Sequence, residues 1–190
     1  MRSFILACAT LALGGCAFEH QPPIPVKPVL VGTKSEVGAG KSVYVEVVDE
    51  RPSKLLGTRG VKGIGSQLEV ADDFPDALRR ALADGLRNRG FVPVEARTED
   101  GRELKVEINN LQYEVNAGFW AGTLRVNCAL KAICMIGNTR PYEKLHRGER
   151  EESVQVVQAA DRNVGYVNDA ISNAVNDVLG DAELQECLAH

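Results

Sequence analysis

Leu124-Arg125-Val126-Asn127-Cys128-Ala129-Leu130-Lys131-Ala132-Ile133-Cys134-Met135-Ile136 decides the fold. Leu124, Val126, Cys128, Leu130, Ala132, Cys134 and Ile136 alternate strictly. Successive strand side chains point to opposite faces, so these share one face while Arg125, Asn127 and Lys131 take the other. Such a strand belongs to an antiparallel sheet with one covered face. Near Ile133 and Met135 the second face also turns apolar.

The neighbours extend this pattern. Upstream, Arg102–Asn116 reads as a long strand with Leu104, Val106 and Ile108 on one face. Leu111, Tyr113 and Val115 then share the next register, so the phase slips at Asn109-Asn110, as at a β-bulge. Downstream, Tyr142–Val157 reads as a third long strand, with Glu149–Glu152 as a solvated stretch. Ser42–Val48 is a strand closed by Asp49-Glu50-Arg51-Pro52, because proline cannot continue the ladder. Lys54–Val70 is glycine-rich and reads as a loose hairpin, and Phe91–Val94 re-enters the sheet.

Two helices accompany the strands. Asp73–Arg89 has a candidate cap in Asp73, Pro75 in the first turn, and Gly90 as the closing residue. Phe74, Leu78, Ala81, Leu82, Gly85 and Leu86 form its apolar stripe. Asp161–Ala189 repeats Val164, Val167, Ile171, Ala174, Val175, Val178 and Leu179 at helical spacing, with a break or kink at Gly180-Asp181. The expected fold is α+β: two layers, a mostly antiparallel sheet, and two helices packed on one face.

The start of the chain has another character. Arg2 precedes the apolar run Phe4–Leu13, which suits a secretory signal and is too short to span a bilayer. Leu13-Gly14-Gly15-Cys16 resembles a bacterial lipobox. That resemblance implies cleavage between Gly15 and Cys16, a diacylglycerol thioether on the Cys16 sulfur, and an N-acyl group on the new amine. Two or three acyl chains hold firmly where one holds weakly. Ala17, rather than Asp, follows the cysteine, the pattern of a lipoprotein sent to the inner leaflet of the outer membrane, facing the periplasm. Pro22, Pro23, Pro25 and Pro28 make the next stretch extended, a tether able to lift a domain about 40 Å from the bilayer. The expected organisation is a leader over 1–15, a lipidated cysteine and tether over 16–41, and one domain over 42–190.

Composition narrows the functions. The chain of 190 residues carries a net charge of −4, which becomes −5 once Arg2 leaves with the leader. No basic patch stands out and aromatic residues are 5%, so nucleic acid is not an expected partner. Ser35-Glu36-Val37-Gly38-Ala39-Gly40-Lys41-Ser42 ends like a phosphate-binding loop, but it lacks the first glycine and a strand follows it, so no nucleotide is expected. Gly60-Val61-Lys62-Gly63-Ile64-Gly65 has dinucleotide-type glycines in the wrong order. His20, His146 and His190 are scattered, giving no metal-ligand spacing. Cys128 and Cys134 lie about 20 Å apart along one strand, too far to bridge. Either could pair with Cys187, and three buried free thiols are the reading preferred at this level.

Few residues suggest chemistry. Asp72-Asp73 and Glu149–Glu152 pair carboxylates, but they read as helix capping and a wet strand face. Phe119 and Trp120, between Gly118 and Gly122, either fold over the sheet end or anchor a partner. Asp49 and Arg51 form either a local salt bridge or a polar contact site.

The chain resembles the YajG-like family of bacterial lipoproteins. Leu13–Cys16, Asp49 and Arg51, and Arg89-Gly90-Phe91 carry the resemblance, followed by Leu104-x-Val106-x-Ile108, Leu111-x-Tyr113 and Trp120. Asn163, Ala170-Ile171, Val178-Leu179, Asp181 and Leu184 complete it. The Gly57–Gly65 loop and the Arg140–Glu152 segment fit less well. The resemblance implies the anchor and the fold, and no established activity. The expected function is a non-enzymatic binding or assembly module, with no cofactor beyond the covalent lipid and an envelope protein as partner. The rivals are a periplasmic hydrolase acting on envelope material and a carrier of a small apolar ligand.

Overall fold

The computed structural model describes residues 20–32, 34–59, 65–99, 101–117, 122–154 and 160–190. The decisive stretch forms β6 (Gly122–Ile136), flanked on both sides by antiparallel partners, β5 (Arg102–Ala117) and β7 (Thr139–Val154). β1 (Ser42–Asp49) lies parallel to β5, and the short β4 (Val92–Val94) lies parallel to β1. The sheet order is β4-β1-β5-β6-β7. The glycine-rich segment is the expected hairpin, a separate two-stranded sheet of β2 (Leu55–Thr58) and β3 (Gln67–Glu69). The β5 register shifts between Ile108 and Asn110, where the sequence places a bulge.

The helices among the described residues derive from the expected segments, but they number three. α1 spans Phe74–Arg87, and the second segment divides into α2 (Ala160–Gly180) and α3 (Ala182–Ala189). The division has a local cause: Asp181 is extended and its side chain accepts the Leu184 N–H at 3.0 Å, so it starts a new helix. Asp73 stands at the start of α1 without capping it; its carboxylate faces Arg80 at 3.6 Å. At the other end the Phe91 N–H bonds the Leu86 carbonyl and the Gly90 N–H bonds that of Arg87. Gly90 takes φ +81 to close this turn.

The covered face is the one that the alternation marks. Leu104, Val106, Ile108, Leu124, Val126, Leu130 and Ala132 are fully buried against Val167, Ala170, Ile171, Ala174 and Val175 of α2 and Leu78 and Leu82 of α1. α2 lies so close to β7 that a Cβ on Gly148 would collide with the backbone of Ala170 and Ala174. On the opposite face Ile133 is buried too, between Lys105 and Glu143 in register.

Two features differ from expectation. The proline-rich segment is extended, but it lies on the domain as a strap. Ile24 is fully buried, donates to the Glu69 carbonyl at 2.8 Å, and bridges Val70. Further along, the N–H groups of Lys27, Val29 and Val31 bond Asn168 Oδ1, Ser172 Oγ and Asn176 Oδ1 at 2.6, 2.9 and 2.8 Å. Asn168 and Asn176 return bonds to the carbonyls of Pro25 and Val29. Helix residues four apart repeat about every 6 Å and strand residues two apart about every 6.6 Å, so the ladders match. The second correction concerns the thiols: Cys134 and Cys187 form a disulfide, and Cys128 is the buried free cysteine among the described residues. The sequence separation of 53 hid this pairing, because α3 folds back over β6.

Candidate functional site

The bulge creates the most distinctive surface. Asn109 is the extra residue of β5, and beside it the uncovered face sinks into an open hollow of about 640 Å³. Asn109, Asn110 and Asn127 supply amides, Arg125, Arg147 and Glu149 supply charge, and Leu145 adds an exposed apolar side chain. Arg125 is engaged by Glu151 at 2.6 Å, while Arg147 makes no ion pair among the described residues. Amides and guanidinium groups are donors and acceptors in fixed positions, a lining that can hold a polar chain or headgroup. Cys128 also lines it, but that thiol is buried and held protonated, and no hydroxyl or imidazole stands among the lining residues.

Charges continue along the same face. Glu107 is bridged by Lys105 at 3.1 Å and Lys131 at 2.5 Å. Burial pushes its carboxyl up, but the two lysines together hold it below the ordinary value. Glu103 behaves oppositely: burial raises it, the nearby charge of Glu46 adds to the rise, and Arg97 at 2.9 Å offsets only part.

Asp49 and Arg51 come together as a fork: Arg51 Nε and Nη2 donate to the two Asp49 oxygens at 2.8 and 2.7 Å. The geometry matches the local salt bridge. The Arg51 side chain is 3% exposed and lies over the Phe74 ring, 5.2 Å from its centroid. Asp49, at 22%, offers the open edge. The hydrogen bond from Arg51 holds the Asp49 carboxyl below its ordinary value. Burial pushes the neighbouring Cys128 thiol up to about 12, so it stays protonated and inert. Gly15, Cys16, Phe119 and Trp120 lie outside the described residues. Ala117 and Gly122, which the Phe119-Trp120 connection joins, pair with one another at the sheet end where α2 begins.

The structure also assembles residues that the sequence leaves apart. His146 is 1% exposed, its Nδ1–H donates to Asp177 at 2.8 Å, and its Nε2 meets the Tyr142 hydroxyl at 3.0 Å. An acid–imidazole–hydroxyl series of this kind resembles a proton relay. Here both ring nitrogens are occupied and the ring is shut between β7 and α2, so the series clamps helix to sheet. Burial, then the charge of Asp181, raises the Tyr142 hydroxyl and keeps it neutral. A second buried chain runs from Tyr113 through Asn163 to Gln21, at 2.8 and 2.9 Å. The spacing of Tyr142 and His146, four apart on one strand face, was the only signal for the first chain; nothing in the sequence marks the second. Among the described residues, no group of three or more His, Cys, Asp or Glu can hold a metal ion. No described helix is long and apolar enough to cross a membrane.

Comparison with known proteins places this chain in a family. Among solved structures, it resembles a protein from Xanthomonas campestris with a TM-score of 0.55 at 10% identity, covering 82% of this chain and 92% of that one. That similarity shows a shared fold. A minor lipoprotein from Acinetobacter baumannii has a TM-score of 0.48 at 13% identity, over 80% of this chain and 94% of its own. The rare lipoprotein B from Shewanella oneidensis has 0.44 at 10%, over 77% and 99%. No curated protein matches significantly in sequence. Residues 29–189 match the Lipoprotein_16 family, described as uncharacterised lipoprotein, and the chain belongs to that family.

Proposed function

We propose that this lipoprotein is a binding and assembly module of the bacterial envelope, held by lipid on Cys16, with no catalytic activity. In this reading the leader is removed before Cys16, which then carries a diacylglycerol thioether and an N-acyl group. Ala17 directs the protein to the inner leaflet of the outer membrane, with the domain in the periplasm. The Cys134–Cys187 disulfide supports an exported domain, because such bonds persist in oxidising compartments.

The observation that carries the binding role is the amide-lined hollow on the uncovered sheet face. It is open, fixed on strands, and has hydrogen-bonding groups without a nucleophile. A hydrolase would need converging titratable groups in a cleft, whereas the His146 ring is buried with both its nitrogens occupied. An apolar carrier would need space between sheet and helices, where Leu104, Leu130, Val167 and Ile171 are fully buried. Phe119 and Trp120 add a proposed aromatic contact for an envelope protein partner.

The test is a photo-reactive residue at Arg147 in living cells. A discrete crosslinked partner is expected, and the same probe at Asp84, on the exposed side of α1, should give none. Equal labelling from both positions would remove the hollow from the proposal. Cys16→Ala is expected to abolish lipid labelling and membrane retention; a variant that stays with membranes would refute the anchor.

A further inference from the structure

The strap changes what the anchor does. Gln21 is 4% exposed, and its Oε1 accepts from Asn163 Nδ2 at 2.9 Å in the first turns of α2. From there the chain is fastened to Asn168, Ser172 and Asn176 in succession. Only five residue steps separate Cys16 from Gln21. Fully extended, they reach at most about 18 Å. A docked strap therefore cannot act as a long tether.

The point of attachment lies at one end of the molecule. β7 ends at Val154, paired with Gly122 of β6, and α2 begins a few residues later at Ala160. The opposite end is the β6–β7 turn at Gly137-Asn138. β6 alone, at about 3.3 Å per residue, separates the two ends by about 46 Å. The mature chain is net acidic, and no Lys or Arg follows Arg162 along α2 and α3. An anionic leaflet repels such a body as a whole. One short tie at one end, set against that repulsion, fixes which end is near the membrane.

We infer that the domain stands end-on at the lipid surface, with Gln21 and the start of α2 against the headgroups and the Gly137-Asn138 turn farthest away. This rests on the reading that Cys16 carries lipid. The strap is thus an orienting device that presents the uncovered sheet face sideways, across the space next to the membrane.

The experiment uses full-length lipidated protein in phosphatidylethanolamine–phosphatidylglycerol vesicles with a headgroup-attached quencher. A fluorophore is placed at Arg162→Cys or Asn138→Cys, Cys128 being buried and the other two cysteines of the domain bonded. Emission at position 162 is expected to be lost and emission at 138 kept. Inserting about twenty Gly/Ser residues between Ala17 and Phe18, which lengthens the tie without touching the domain, should recover emission at 162 while the protein still floats with vesicles. Equal quenching at both positions, or quenching at 162 that ignores the insertion, overturns the orientation with the anchor intact. Protein left in the supernatant overturns the anchor and, with it, this inference.

Discussion

At the residue scale, Arg51 is the most demanding side chain. It is almost wholly buried, paired to Asp49, stacked on Phe74, and its Nη1 has no hydrogen-bond partner among the described residues. A buried guanidinium stripped of its carboxylate is expensive. Asp49→Asn is expected to cost about 3 kcal/mol at neutral pH, measured by urea unfolding. The pH dependence has a definite sign. The folded Asp49 carboxyl lies below its unfolded value, so its contribution is present above about pH 4 and is lost as pH falls through the folded pKa. The gap between wild type and variant should stay constant above about pH 5 and narrow below about pH 4. The sequence showed Asp49 and Arg51 as a pair at a strand end. It could not show that Phe74, more than twenty residues on, would roof the guanidinium. That contact depends on how α1 settles on the sheet.

At the element scale, the strands were legible because alternation is local. Leu124–Ile136 announces its covered face, and the phase slip at Asn109-Asn110 announces the bulge. That the bulge opens a hollow was not legible, since the hollow needs Arg125 and Asn127 of β6 and Arg147 of β7 beside it. The break at Gly180-Asp181 was visible, and the consequence lay beyond pattern: α3 turns back and places Cys187 on Cys134. That bond closes a loop of 53 residues, which constrains the unfolded chain by about 4 kcal/mol in the chain-entropy account. Cys187→Ser is expected to lower stability by up to that amount, about 4 kcal/mol, read as a shifted urea midpoint. An unchanged midpoint would show that Leu184, Leu188 and the polar contacts at its two ends hold α3 without the disulfide.

At the scale of the whole molecule, the strap and the sheet have different standing. β5, β6 and β7 are sequence neighbours whose inward side chains are buried along their length, whereas the strap beyond Gln21 and Ile24 is held by exposed or half-buried side-chain bonds. Regions with fewer buried contacts open at lower free energy. The amides of Lys27, Val29 and Val31 are expected to exchange with deuterium well before those of Leu130 and Ala132, measured by exchange in the folded protein. Simultaneous exchange would mean that strap and sheet unfold as one. Proline content made the strap's extended form readable. Its docking was not, because Asn168, Ser172 and Asn176 look like ordinary polar positions on a solvated helix until the backbone they hold is seen. Their distance along the chain has a consequence for birth order: Lys27 finds its partner 141 residues later. The first part of the mature protein to emerge must wait for almost the last, so a newborn molecule passes through a long-leashed youth, and only its finished form keeps a fixed posture.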